Sequence, residues 1–355
     1  MDLIDPARFA PASWVTGTAP VVNFVLPCYN EEAVLRETAS RLGTLLDGLK
    51  ADGLIGADSA AYYIDDGSRD GTWALIETLA RERGDVCGIK LSRNRGHQNA
   101  LLCGLMSVSG DALISLDADL QDDLSIIPDM IRAFRNGDEL VYAVRRRRDT
   151  DTFFKRFTAE GYYKVLALMG VEVVFNHADY RLMGRRPLEA LRHYRETHLF
   201  LRGMIPQLGY RSSVVAFDRA ERFAGESKYP LSKMLSLAWR GVTSFSAAPL
   251  RAITSLGAMV SVVSVAFGLW ALFIRLFTDV ALPGWASTVI PMYLLGGIQL
   301  LSLGVIGEYL AKVYEASKGR PRFHVEAITG GWAGAGTGTA SIAPAATSPV
   351  APRQP

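Results

Sequence analysis

The sequence predicts an α/β protein, a mostly parallel sheet with helices on both faces, continued by a C-terminal two-helix transmembrane hairpin. Three observations predict it. Short apolar runs alternate with stretches of helical spacing over residues 21–143, as in sheets whose strands are joined by crossover helices. Polar, Asp-rich clusters follow the predicted strands. Two long uncharged runs, 252–274 and 280–307, lie toward the C-terminus.

The elements follow in order. Residues 1–19 read as an irregular lead-in. The first strand is 21–26, apolar except for Asn23 and ended by Pro27. The first helix is 33–49, with Val34, Leu42, Leu45, Leu46 and Leu49 at helical spacing. A strand at 60–64 precedes a helix at 73–83, where Leu75, Ile76 and Leu79 share a side. A third strand and helix occupy 86–91 and 98–108, a fourth pair 112–116 and 126–134, and a fifth strand 140–144. Arg145 to Arg148 follow that strand end, where anions bind as readily as solvent covers a charged face. A helical pattern then runs through Tyr163, Leu166 and Met169.

The run 252–274 has 23 residues, about 35 Å as a helix and enough to cross a hydrocarbon core. The second run contains Pro283 and Pro291, and its expected span is 287–310. Lys228, Lys233, Arg240 and Arg251 precede the first span, and Lys312, Lys318, Arg320 and Arg322 follow the second. The positive-inside rule then puts both termini in the cytoplasm and makes the protein multi-pass in the inner (plasma) membrane. Leu231, Leu235, Trp239 and Val242 give 229–251 the pattern of an interfacial amphipathic segment or a core helix. The expected organisation is a catalytic domain at 20–228, the interfacial segment, spans at 252–275 and 287–310, a return segment at 311–328 and a disordered tail at 329–355.

A net charge of +2 over 355 residues gives no reason to expect nucleic acid as a partner. Cys28, Cys87 and Cys103 are scattered, without a Cys/His cluster, and read as reduced core thiols. Asp2 and Asp5 stand where a signal peptide would carry basic residues.

The strand ends carry the chemistry. Asp117 and Asp119 come directly after the fourth strand. Residues i and i+2 of a strand share a side, so the two carboxylates are expected to converge and to suit Mg²⁺ or Mn²⁺ on a diphosphate. Asp65 and Asp66 end the second strand and can accept bonds from a base N–H or ribose hydroxyls. Gly67 and Gly71 suit a tight turn there, and Asp70 or Thr72 can cap the next helix.

Six motifs in order resemble the family 2 glycosyltransferases of GT-A (Rossmann-like) fold, and within them the polyprenyl-phosphate sugar transferases. They are Pro27-x-Tyr29-Asn30-Glu31, Asp65-Asp66-Gly67-Ser68-x-Asp70-Gly71-Thr72, Asn94-x-Gly96-His97-Gln98-x-Ala100-Leu101, Asp117-Ala118-Asp119-Leu120-Gln121-Asp122, Ala178-Asp179-Tyr180-Arg181-Leu182 and Gly225-Glu226-Ser227-Lys228-Tyr229. The resemblance covers about residues 20–325. It implies that Pro27, Tyr29, Glu31, Asp66 and Asp117 bind the nucleotide-sugar donor and that Asp117, Asp119 and Gln121 hold the metal. It places Asp179 at the reacting centre as the catalytic residue. Arg145, Arg202, Arg222, Ser227 and Lys228 would surround an acceptor phosphate. Asp123 stands where the family usually has proline and is expected to loosen that turn.

The implied activity is inverting, metal-dependent transfer from a nucleotide sugar, UDP-glucose first, to undecaprenyl or another polyprenyl phosphate at the bilayer. UDP-N-acetylglucosamine, a UDP-aminoarabinose derivative and GDP-mannose are alternative donors. A processive polysaccharide synthase would carry Gln-x-x-Arg-Trp, which none of the five glutamines begins. A non-catalytic scaffold would have lost donor-site carboxylates that are all present. Gly296, Gly297 and Gly304 permit close helix packing and so a homo-oligomer.

Overall fold

The computed structural model describes residues 18–119, 121–145, 177–194, 201–217, 248–277 and 284–331. The chain forms two compact units. One comprises 1–151, 174–227 and 321–355, and the other 152–173 and 228–320.

The first unit is built on a mixed sheet. Its strands are β1 (Val22–Cys28), β2 (Ala61–Asp65), β3 (Val86–Leu91), β4 (Ala112–Ser115), β5 (Leu140–Arg145), β6 (His177–Gly184), β7 (Ser212–Phe217) and β8 (Val325–Thr329). They lie in the order β7-β5-β6-β4-β1-β2-β3-β8. β4, β1, β2 and β3 pair in parallel, as expected. The sheet is mostly parallel, and β5 and β7 also pair in parallel, but three antiparallel pairings interrupt it. Beyond β4, β6 inserts antiparallel between β4 and β5, and at the other edge β8 pairs antiparallel with β3.

All seven residues of β1 are buried, as they must be in a strand covered on both faces. Helix α1 (Glu32–Ala51) buries Leu35, Leu42 and Leu46 in the same cluster as Phe24, Leu26 and Tyr63. Truncating such a leucine to alanine costs about 2–5 kcal/mol. Helix α3 (His97–Ser107) lies so close to the sheet that a Cβ on Gly104 would strike Val25 and Ile64. Helix α2 (Thr72–Glu82) and helix α4 (Ile127–Arg135), preceded by a 3₁₀ turn at Leu124–Ile126, complete the alternating part.

Pro27 does not end β1; the strand runs on to Cys28. Phe24 N–H bonds Ala60 O and Cys28 O accepts from Asp66 N–H, so these residues face β2, whereas Val25 O accepts from Leu116 on the β4 side. Pro27 therefore faces the side where β4 has already stopped, and its missing N–H breaks no ladder bond.

β6 was not foreseen because its apolar positions alternate with charge. Tyr180 and Leu182 join the core, Tyr180 edge-on to Phe217 at 5.7 Å, while Asp179 and Arg181 take the other side. Helix α5 (Arg185–Arg192) follows, and helix α6 (Leu201–Gln207) precedes β7. β8 falls at the end of what reads as a plain return segment and is tied to β3 by Lys90–Glu326 at 3.0 Å and Ser92 N–H to His324 O at 3.0 Å.

The second unit carries helix α7 (Ala248–Phe277, 30 residues) and helix α8 (Trp285–Ser317, 33 residues). Among the described residues one stretch, Leu294–Ser317 in α8, is long and apolar enough to cross a membrane, and none of it is buried. It overlaps the expected 287–310 span but is shifted toward the C-terminus, and α8 accommodates Pro291 within the helix. In α7 the apolar stretch is Ile253–Phe267, shorter than the expected span. The lead-in up to residue 17, most of the amphipathic segment and the tail from 332 lie outside the described residues.

Candidate active site

The carboxyl ends of β1, β2, β3 and β4 lie on one edge of the sheet, where ligands bind in open α/β folds. The loops after β1 and β2 brace each other. Asn30 N–H donates to Ser68 Oγ (3.0 Å), Arg69 N–H to Asn30 Oδ1 (2.9 Å), Glu31 N–H to Thr72 Oγ1 (2.9 Å) and Gly71 N–H to Glu32 Oε2 (2.8 Å). Asp70 accepts from Thr72 N–H at 3.1 Å, but the N-cap of α2 is Gly71, so neither Asp70 nor Thr72 takes the expected cap position. Pro27 is buried at the end of β1, and Tyr29 beside it is 40% exposed.

Asp66 does not stand open to a ligand. Its two oxygens accept the backbone N–H groups of Arg95 (2.7 Å) and Gly96 (2.8 Å), fixing the loop after β3. Gly67, at φ +68°, packs against this loop, and a Cβ there would lie 2.6 Å from Arg93 C. Asp65 is fully buried, accepts from Ser68 N–H with one oxygen (3.1 Å) and leaves Oδ2 without a partner. Burial pushes both carboxyls above their ordinary value.

β4 ends at Ser115, so Asp117 and Asp119 stand on the following loop and not, as expected, at alternate positions of a strand. Hydrogen bonds shape that loop. Thr38 Oγ1 donates to Ala118 O (2.7 Å) and Asp117 N–H to Asp122 Oδ2 (3.1 Å). Gln121 donates to Asp119 from its backbone (3.1 Å) and its side-chain amide (2.5 Å). Asp123 caps the 3₁₀ turn through Ser125 N–H (2.9 Å), and its carbonyl receives Tyr180 OH (3.0 Å), so the missing proline does not loosen this turn.

The donors here fit a hard divalent cation. Among the described residues no three His, Cys, Asp or Glu side chains form a closed cage. The carboxylates of Asp117 and Asp119, with the buried, partnerless Oε1 of Gln121, are an open oxygen set of the kind Mg²⁺ completes with water and substrate phosphates.

β6 brings a second group of charges to the same edge. Because it runs antiparallel to β4, its start lies beside the end of β4: Ser115 pairs with Arg181, and Ser115 Oγ donates to Asp179 O (2.5 Å). Asp179, 5% exposed, is surrounded by donors. Arg181 Nη2, fully buried, lies at 2.6 Å, Arg202 contributes contacts of 3.3 and 3.1 Å, and Gln98 Nε2 donates at 3.1 Å. His97 Nε2 is 3.4 Å from Asp179 and 3.6 Å from Asp117. Burial alone would raise the Asp179 pKa, but His97, Arg181 and Arg202 together hold its carboxyl well below the usual carboxylate range. A carboxylate so held is a weak base, which argues against Asp179 taking up a proton. For His97 burial opposes charge, but the Asp179 hydrogen bond and the charges of Asp117 and Asp179 outweigh it and raise the pKa.

The structure thus brings Asp117, Asp119, Gln121, Asp179 and Arg202 to one edge. Arg145 ends β5; Arg222, Ser227 and Lys228 lie outside the described residues. Sequence reasoning assigned no role to His97, Gln98 or Arg181. Two signals were available: His97 and Gln98 open a helix at a strand end, and Arg181 stands two residues from Asp179 on a strand.

A mixed α/β sheet with carboxylates gathered at its carboxyl edge defines a GT-A-like glycosyltransferase. The family model described as glycosyl transferase family 2 matches residues 24–192. A Bacillus subtilis (strain 168) protein described as uncharacterized glycosyltransferase YkoT is 47% identical over 309 residues, 86% of this chain and 91% of its own. The bactoprenol glucosyl transferase of Shigella phage SfV is 35% identical over 306 residues, 86% of this chain and 98% of its own. The chain belongs to glycosyl transferase family 2. Among solved structures, mannosyltransferase PcManGT from Pyrobaculum calidifontis, in complex with GDP-Man and Mn2+, is similar at 16% identity and a TM-score of 0.42, covering 85% of this chain and 87% of that one.

Proposed function

We propose that this glycosyltransferase moves a sugar, with inversion, from a nucleotide sugar to a polyprenyl phosphate at the cytoplasmic face of the plasma membrane. UDP-glucose is the favoured donor and undecaprenyl phosphate the favoured acceptor. The observation that carries the reading is the match to a bactoprenol glucosyl transferase over 98% of that protein's length.

In this reading Asp117, Asp119 and Gln121 hold Mg²⁺ or Mn²⁺, which when bound neutralises charge on the leaving diphosphate. Pro27, Tyr29 and Glu31 flank the nucleoside. Asp66 fixes the loop beside it. Arg145, Arg202, Arg222, Ser227 and Lys228 receive the acceptor phosphate. A phosphate monoester has a second pKa of about 6 and is mostly dianionic at neutral pH. It is already a nucleophile and needs no strong base, in keeping with an Asp179 that two guanidiniums keep ionised. Asp179 then orients Arg202 and the reacting groups. The catalytic domain, 20–228, is cytoplasmic, and spans at 252–275 and 287–310 form the hairpin. The apolar stretch Leu294–Ser317 of α8 supports one span.

The test is a panel of radiolabelled UDP-glucose, UDP-N-acetylglucosamine, a UDP-aminoarabinose derivative and GDP-mannose, given to the full chain in membranes with Mn²⁺ and polyprenyl phosphate. One donor, UDP-glucose first, gives a labelled glycolipid. No glycolipid from any donor overturns the proposal.

A further inference from the structure

The first turn of α3 addresses both sides of the site. His97 Nε2 lies within 3.6 Å of Asp117 Oδ1 and 3.4 Å of Asp179 Oδ2, and its side chain is 42% exposed. Gln98, the next residue, uses both ends of its amide. Nε2 donates to Asp179 Oδ2 (3.1 Å), and Oε1 accepts Leu201 N–H (3.0 Å). Leu201 opens the seven-residue helix α6, and Arg202 follows it. Successive helix residues point about 100° apart, so adjacent side chains can serve different walls.

We propose that His97 and Gln98 are positioning residues with different reach: His97, between Asp179 and Asp117, couples the cation side to the acceptor side, whereas Gln98 sets α6 and Arg202 for the acceptor phosphate alone. The inference rests on the reading of donor and acceptor sides above. A carboxylate that binds metal depends on the groups that hold its orientation, and losing one costs about 10–100-fold in affinity. Gln98 acts differently. The first N–H groups of a helix need partners outside it, and Gln98 Oε1 supplies one at Leu201. Arg202 contacts Asp179 through Nε and Nη2, and Gln98 bonds the same carboxylate, so the strut and the arginine share one anchor. Neither residue forms or breaks a bond to substrate.

The experiment uses the full chain with three variants, His97→Ala, His97→Gln and Gln98→Leu. It measures Mn²⁺ affinity in the presence of UDP by electron paramagnetic resonance, KM for polyprenyl phosphate, kcat, and the melting temperature of each. His97→Ala is expected to weaken Mn²⁺ binding about 10–100-fold and, through its contact with Asp179, to raise the lipid-phosphate KM as well. His97→Gln, which keeps a donor, recovers part of the affinity. Gln98→Leu, close in volume and without polar atoms, loses both part-buried bonds and is expected to raise the lipid-phosphate KM about tenfold or more, with Mn²⁺ binding unchanged. Weakened Mn²⁺ binding in Gln98→Leu, or neither constant moving in His97→Ala, overturns the inference. Should His97→Ala fail to fold, His97→Gln carries the metal arm. A wild-type chain that forms no glycolipid while the Mn²⁺ arm behaves as stated contradicts the proposed function and not the duty of His97.

Discussion

The loops after β1, β2 and β3 are held by side chains that bond backbone: Asp66 to Arg95 and Gly96, Asn30 to Arg69, Thr72 to Glu31. Asp179, on the other side of the edge, is held by side chains that bond side chains, namely Arg181, Arg202, Gln98 and His97. The first arrangement shapes the chain and places carboxylates such as Asp65 by way of the fold. The second fixes one ionised group and the arginines about it. Loops of the first kind can receive a ligand of fixed shape such as a nucleoside. A charge cluster of the second kind can exchange partners with an incoming phosphate.

Four changes test this contrast. Asp117→Asn removes a charge but keeps the backbone bond that shapes its loop, so turnover should fall about a thousandfold, several kcal/mol of charge stabilisation, with a melting temperature little changed. A fold loss of similar size would make Asp117 part of the bracing instead. Asp179→Ala leaves Arg181 buried and unpaired and should cost about 3–5 kcal/mol of stability, measured by urea unfolding. A cost near zero would mean the cluster is not an ionised one. Gly67→Ala forces a side chain into the left-handed region and against the Arg93 backbone, which should cost about 2 kcal/mol or more and loosen amide protection at Arg95 and Gly96 first. Protection lost equally across the sheet would show that the loops are not a separate unit.

The smallest effect is one of pH. Asp65 and Asp66 have folded pKa values raised by burial. What they add to stability is full below the unfolded value of about 3.9 and is lost as pH rises through the folded pKa. Asp179 has the opposite sign: its depressed pKa gives stability that is present above about 3.9 and lost as pH falls further. Asp65→Asn should therefore flatten the decline in melting temperature above about pH 4. An unchanged slope would remove Asp65 as its source.

The same contrast explains what could be read from the chain. The parallel core and the loops after β1 and β2 were legible because their signals are local: an apolar run, then Asp65-Asp66-Gly67, then a helix. The Asp179 cluster joins residues far apart, Gln98 to Asp179 and Gln98 to Leu201, and no spacing rule links them. β6 and β8 escaped for a related reason. They are antiparallel insertions whose partners are set by tertiary packing, and their alternation is short and mixed with charge. Asp66 shows the limit of motif reading: the residue type suited a nucleoside, but its bonds go to backbone.

The central claim is that the acceptor's phosphate is itself the nucleophile, with Asp179 no base. The direct measurement compares sugar transfer to polyprenyl phosphate and to the matching polyprenol, with UDP-glucose and Mn²⁺, over a range of pH. The account predicts labelled glycolipid from the phosphate alone, with no requirement for a group titrating in the carboxylate range. Comparable transfer to the alcohol would contradict it.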